Sequence, residues 1–449
     1  MSDAEPPVLP RTLGLRDLLL LKLVAIINVS LVAPVAGYGR VSLPLWFLAF
    51  LLFFVPEAVA VLTFARRYPG EGGIYLWTAS EFGEMHGFVS GWCYWVGNLL
   101  YFPMQLVYLA GVLAFTTGGE SAGLVDAKWF VAAVAFGWLV LATGANILGL
   151  VVGKWLPNAG SLGTIAALVL IVSAGASAAG QGAPHVPFAA VSGWQALSGL
   201  SVMCFAFMGL ELASTMGSEM QHPERDLPRA ALAAGAVTLV AYLALTWALQ
   251  TLLPLEEIGA IQGVVQGVAQ GAARFGITWL TGPLAIALAV SIAGGLSAWY
   301  AGSTRIPFVA GFGHALPEAL GRVHPRWGSP YVALVTQGVL SSVFIAVTLA
   351  GSTVAEAYQI FLKSSVVTTL VPFCYMFLGL MRLRDVSAWK RAAGAVGFVV
   401  SAIGALAAFW PIGDVGSVLL FEIKLAIGAL LPIAVGLALH ARARRRAAR

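Results

Sequence analysis

Almost end to end, the chain is divided into apolar runs of about twenty residues, and that repetition leaves it few possible folds. Each helical residue rises 1.5 Å, so roughly 20 apolar residues cross a hydrocarbon core about 30 Å thick. Twelve such runs can be drawn, at 18–38, 43–65, 85–115, 128–149, 156–179, 195–218, 229–253, 280–304, 330–351, 355–381, 392–411 and 416–440. A backbone surrounded by lipid must satisfy its own N–H and C=O groups, and a helix does so within one segment. The expected class is therefore an all-α polytopic membrane protein. Composition agrees: 59% of residues are hydrophobic and 10% charged, whereas a soluble domain carries about 25% charged residues. The opening MSDAEPPVLPRTLGLRD is polar and mixed in charge, unlike the basic-then-apolar pattern of a cleavable signal.

Lys and Arg concentrate in cytoplasmic loops of membrane proteins. With the N-terminus inside, twenty of the 25 basic residues fall in cytoplasmic segments, Arg11, Arg16 and Lys22 among them. Arg40, Lys128 and Arg274 fall outside, and Lys363 and Lys424 within spans. Both termini are thus expected in the cytoplasm of a cell-membrane protein. Three connections stand out. ARRYPGEGGIYLW (65–77) reads as an ordered cytoplasmic turn, residues 254–278 as a re-entrant or interfacial lid, and residues 305–330 as a basic, Pro-punctuated cytoplasmic loop. The tail HARARRRAAR reads as a solvated basic end that helps set topology.

Several function classes find no support. Cys93, Cys204 and Cys374 form no CxxC pair, the six histidines have no metal-ligand spacing, and no P-loop is present to drive transport with ATP. The net charge of +5 lies in short loops and is not a nucleic-acid signal. No cofactor or metal is called for.

A carboxylate inside a membrane-length run costs about 2.5–3.5 kcal/mol on insertion scales and marks a functional candidate. Glu211 is that residue, in GLSVMCFAFMGLELAST, with Gly209 two positions before it. A plain reading is that it bonds a neighbouring helix. In the first run, LVAIINVSLVAPVAGYG, Asn28, Ser30 and Pro34 lie near mid-depth. A helix broken there exposes main-chain groups suited to an anionic substrate group; a simple proline kink is the competing reading. If spans 1–5 (18–179) and 6–10 (195–381) are repeats, the first and sixth occupy matching places. Paired interruptions in such places point to a transporter site at the bilayer midplane. Spans 11–12 (392–440) would lie outside the repeats, between the cytoplasmic segments 1–17 and 441–449. Glu57 and Lys363 are the other informative intramembrane charges. Lys363 is expected to snorkel outward and not to share a helix face with Ser365. Glu422 and Lys424 are expected near an interface.

Three stretches carry a resemblance. CFAFMGLELASTMGSEMQHPERDLPRA resembles the sixth span and following loop of the amino acid–polyamine–organocation (APC) superfamily, amino acid permease type. YPGEGGIYLWTASEFGEMHGFVSGWCYWVGN resembles its second loop and third span, and IAGGLSAWYAGSTRIPF with HPRWGSPYVAL its eighth span and loop. The resemblance implies a LeuT-like fold of two inverted five-helix repeats plus two peripheral helices, with spans 1 and 6 broken. It implies secondary transport of amino acids or related amines by alternating access. By matching position, Val29, Ser30 and Leu31, beside Asn28, fall where the family has a Gly-Ser-Gly that receives the substrate carboxylate; both glycines are absent here. Phe205 matches a gating aromatic, and Gly209 and Glu211 match the family's G-x-E. Trp95 and Asn98 fit its third-span pattern, Trp299 an aromatic of the eighth span and Ser365 a polar contact of the tenth. Thr164 stands near the place of a proton-coupling lysine found in some members.

Read from chemistry alone, the aromatics also suit packing or interfacial belts, while an aromatic face over an ammonium suits amine recognition. The leading expectation is a permease binding an amino acid between spans 1, 3, 6, 8 and 10. Glu211 is its candidate proton carrier, because low dielectric disfavours a charged carboxyl. PEAV (56–59) and GGIYLW resemble polyamine-type members, so a polyamine or organic-amine carrier is the alternative. An intramembrane enzyme or sensor is a remote third, without a catalytic signature to support it.

Overall fold

A computed structural model describes residues 13–117, 121, 123–124, 127–182, 193–216, 219–258, 263–312, 316–350, 354–410 and 418–447. Most of the N-terminal segment 1–17 and the last two residues of the tail lie outside these. Eleven described helices are long and apolar enough to cross a membrane, and the shorter apolar helix Ala196–Phe207 accompanies them. The protein is a multi-pass membrane protein, and its described residues make twelve spans when that shorter helix is counted, two of them split.

The first span runs Leu15–Ile26, stops, turns once as a 3₁₀ helix at Val29–Leu31 and resumes at Val32–Ala36. Asn28 causes the stop. Its backbone is extended, and its side-chain Oδ1 accepts the Ser30 N–H (3.1 Å) in place of a helical carbonyl. Asparagine is suited to this competition with the main chain. Pro34 sits in the first turn of the resumed helix, where its missing N–H costs nothing. It opens a helix and does not kink one.

The sixth span runs Gly193–Phe207, breaks, and continues only as Leu212–Thr215. Gly209 takes φ of +132°, a conformation closed to side-chain-bearing L-residues. In the second span a π-helical turn, Phe50–Phe54, widens the helix just before Val55–Arg67. The remaining spans are Glu84–Leu113, Lys128–Ile147, Trp155–Ala179, Pro223–Leu252, Thr281–Phe312, Tyr331–Ala350, Val354–Arg382, Ala388–Ala407 and Val418–Ala447. The last helix carries the basic tail onward to Ala447, where the sequence had placed a loose end from 440.

The spans divide into a buried set and a lipid-facing set. The first, third, eighth and tenth have 72–94% of their apolar window buried inside the protein, against 22–39% for the fourth, fifth, ninth, eleventh and twelfth. The fifth and eighth spans approach closely because a Cβ on Gly160 would lie 2.6 Å from Gly294 Cα. Small residues of this kind replace hydrophobic drive as the basis of contact between membrane helices.

Residues 254–278 contain an amphipathic helix, Gly263–Arg274, whose buried face lies over Ala33 of the first span and Leu249, Leu252 and Leu253 of the seventh. At the other end, Leu13 pairs with the stretch after the sixth span. Its N–H donates to Glu219 O, and its C=O accepts from Gln221 N–H, both at 3.0 Å. The turn 65–77 is ordered, with Gly72 N–H on Thr215 O (3.1 Å) and Ile74–Phe82 helical.

Two expectations are corrected. Lys22 belongs to no loop: it is 1% exposed and lies within the first span. Lys363 does not snorkel; it is fully buried and donates to Ser198 Oγ at 2.8 Å. Both ammonium groups find an oxygen inside the bundle, which removes the reason to reach for water.

Candidate substrate-binding site

A narrow hollow of about 20 Å³ lies where the first and sixth spans come apart, little more than the room one water needs. Its wall takes Ala25, Ile26, Asn28 and Leu31 from the first span and Phe205, Ala206 and Met208 from the sixth. The third span adds Gly97, Asn98 and Tyr101, the eighth Trp299, and the tenth Ser365 and Thr369. Five spans thus meet there.

The main-chain groups released by the first break are already taken by side chains. Trp299 Nε1–H donates to Ala25 O at 3.0 Å. The Tyr242 hydroxyl, from the seventh span, lies 2.6 Å from Ile26 O and 2.8 Å from Ala206 O, and accepts the Asn28 N–H at 3.1 Å. Its single proton serves one carbonyl at a time, so one tyrosine spans both broken helices. Trp46 holds that ring by stacking on it, with centroids 4.3 Å apart. Asn28 Nδ2–H donates to the Tyr101 hydroxyl (2.8 Å), which also accepts from Gln105 Nε2–H (2.6 Å).

Seven of the sequence-nominated residues can be placed directly by this geometry. Asn28, Leu31, Asn98, Phe205, Trp299 and Ser365 line the hollow, whereas Trp95 does not: its Nε1–H donates to Gln337 Oε1 at 2.8 Å. Val29 and Ser30 also stand back from the wall. The Ser30 hydroxyl lies 2.6 Å from Asn28 Oδ1 and 3.0 Å from Gln105 Oε1. Gly209 acts through its main chain, donating its N–H to Glu211 Oε2 at 2.8 Å. Thr164 is joined to Ser291 of the eighth span (2.6 Å).

Glu211 sits behind the hollow and not in its wall. Its Oε1 accepts from the Tyr94 hydroxyl at 2.9 Å. Lys22 donates to the carbonyl of Leu210, next to it, at 2.9 Å. Glu57 also faces this group. The second break is therefore surrounded by acidic and basic side chains, whereas the first has only uncharged ones.

Aromatic rings form much of the wall. Tyr101 lies between Phe205 (6.0 Å, edge-on) and Trp299 (6.1 Å). Phe205 is only half-buried. Toward the end marked by Leu13, Asp17 pairs with Lys154 (3.0 Å) and the buried Glu219 with Arg305 (2.8 Å).

Sequence reasoning missed Tyr101, Tyr242 and Lys22. Tyr101 follows Asn98 by three residues, on the same helical face. Tyr242 belongs to a stripe, Thr238, Tyr242, Thr246 and Gln250, repeating every four residues. Lys22 was hidden by its closeness to the basic N-terminal segment.

Two split helices facing each other across a hollow that mixes polar groups with apolar and aromatic walls, inside a membrane bundle, are the architecture of a small-molecule carrier. The amino acid permease family model matches residues 20–423, and the chain belongs to that family, within the APC group of LeuT-like fold. It is a transporter and not an enzyme. An uncharacterized transporter of Legionella pneumophila is 26% identical over 383 residues, 83% of this chain and 81% of its own. The branched-chain amino acid permease BcaP of Bacillus subtilis is 25% identical over 348 residues, 74% of each chain. A probable agmatine/putrescine antiporter, AguD of Lactococcus lactis, is 20% identical over 359 residues, 79% of this chain and 76% of its own.

Proposed function

We propose that this permease is a secondary carrier moving a zwitterionic amino acid across the cell membrane by alternating access, with both termini in the cytoplasm. The observation that carries the choice of substrate is the wall of the hollow. Asn28, Asn98, Ser365, Thr369 and the Tyr101 hydroxyl offer neutral polar groups beside aromatic faces, and no acidic side chain lines it among the described residues. A dication such as putrescine needs acidic partners at its ends; a zwitterion brings its own carboxylate. BcaP, a branched-chain amino acid permease, supports the same reading. The similarity to AguD keeps amines as the second reading, with Glu211 and Glu57 as the nearest acids.

In this reading the repeats are residues 18–179 and 195–381. They rock about the breaks, Phe205 closes one path, and the Asp17–Lys154 and Glu219–Arg305 pairs close the other. Glu211 carries the coupling proton. Uptake into proteoliposomes is the test, screened over amino acids and diamines at two pH values. Neutral amino acids are expected to compete for uptake and putrescine to fail. The reverse result moves the assignment to amines. Glu211→Gln is expected to insert normally and lose the pH dependence of uptake; uptake as fast and as pH-sensitive as that of the parent removes Glu211 from coupling.

A further inference from the structure

Glu57 is the most unusual buried group in the protein. Its side chain is fully buried, and no donor stands in good hydrogen-bonding geometry to either carboxyl oxygen; what faces it is a second carboxyl and the main chain of Leu210. An unpartnered buried carboxylate is among the costliest arrangements a membrane bundle can hold. Its position is nevertheless built with care. The π-helical turn Phe50–Phe54 precedes it, a feature that recurs at functional sites, and Pro56 removes one backbone donor beside it.

The groups facing Glu57 explain the arrangement. From the sixth span come the Glu211 carboxyl and the main chain of Leu210, and from the first span the Lys22 ammonium. Tyr94 of the third span and Cys204 of the sixth are the neutral titratable neighbours. The tenth span brings aromatic rings to this stretch, Phe373 and Phe377 against Phe53. Two ionised carboxylates in contact are both acceptors and cannot bond to each other. With both ionised, Lys22 leaves the cluster one negative charge in excess. A single proton removes both faults: one carboxyl becomes an O–H donor to the other, and the charge falls to zero.

We propose that Glu57, Glu211 and Lys22 form one proton-binding site, in which the two carboxyls share a single proton and the ammonium is its fixed counter-cation. Each group comes from a different span, and Glu211 and the carbonyl held by Lys22 belong to the break itself. Loss of the proton would therefore act directly on the hinge of the sixth span. The proposal deepens the reading of Glu211 as proton carrier. Its test needs no transport, so the two can fail separately.

The test is infrared difference spectroscopy of the purified full-length protein in lipid nanodiscs, using only the monodisperse fraction of each variant. The parent is expected to show, at neutral pH, a deuterium-sensitive band of one protonated buried carboxyl. Glu57→Gln and Glu211→Gln are each expected to abolish it, because the remaining carboxylate then pairs with Lys22. Lys22→Met is expected to double it, since both carboxyls must then be neutral. Addition of sodium should leave the parent band unchanged. Absence of the band from the parent, its survival in either Gln variant, or its loss on adding sodium would overturn the proposal.

Discussion

The two breaks occupy corresponding spans, yet they are held open by opposite chemistry. At the first, every group is neutral: Tyr242, Trp299 and the Asn28 side chain satisfy the freed main chain, and Tyr101 and Gln105 extend the network with hydroxyl and amide groups. At the sixth, the same duty falls to acidic and basic side chains, with Lys22 on Leu210 O and Glu211 on Gly209 N–H. A neutral network keeps its geometry whatever the proton supply, which suits a surface that must recognise a substrate. A charged cluster in low dielectric changes its preferred geometry with a single proton, which suits a switch. The division also accounts for Glu211 lying behind the hollow and not in it.

Four substitutions probe this contrast. The largest effect is expected from Glu211→Ala. It leaves the Tyr94 hydroxyl and the Gly209 N–H without their partner and Lys22 with one carboxyl fewer, and removal of one member of a buried charge cluster costs about 3–5 kcal/mol. Thermal unfolding in detergent should show a large fall, and Glu211→Gln a much smaller one. Equal falls for Ala and Gln would mean that charge contributes nothing at this break.

Tyr242→Phe comes next, at about 1–3 kcal/mol, because it strips a partner from buried groups of both broken helices. It is expected to slow uptake as well as lower the unfolding temperature. A variant that is destabilised but transports at the parent rate would confine Tyr242 to a structural role.

Asn28→Asp places a carboxylate in the wall of the neutral break. Putrescine is expected to compete for uptake about tenfold better relative to neutral amino acids, equivalent to about 1.4 kcal/mol. Unchanged selectivity would show that Asn28 does not face the substrate. The smallest effect is expected from Trp299→Phe, which keeps a ring but loses the bond to Ala25 O. Its expected cost is about 0.5–1.5 kcal/mol, read as an increase in KM with little change in maximal rate.

Much of this organisation was legible beforehand, because membrane physics writes it into composition. Asn28, Pro34 and Gly209 are residues that interrupt helices, and each sits at or beside an observed interruption. Asn98, Ser365 and Trp299 line the hollow, and Lys363, two residues from Ser365 and so on another helix face, bonds Ser198 instead. Trp95 and Ser30 were misplaced for one reason: a polar atom on a candidate face says nothing about which neighbour will claim it. Gln337 claims Trp95, and Asn28 and Gln105 lie against the Ser30 hydroxyl.

The sequence by itself determined that the chain crosses a membrane about twelve times and where two of those crossings part, since both follow from local hydrophobicity and backbone preference. Only the tertiary structure decided which charges meet. Lys22, Glu57 and Glu211 stand on three different helices, and their pairing depends on the rotation of each about its axis. That rotation is set by packing against neighbours far along the chain, which no local pattern records.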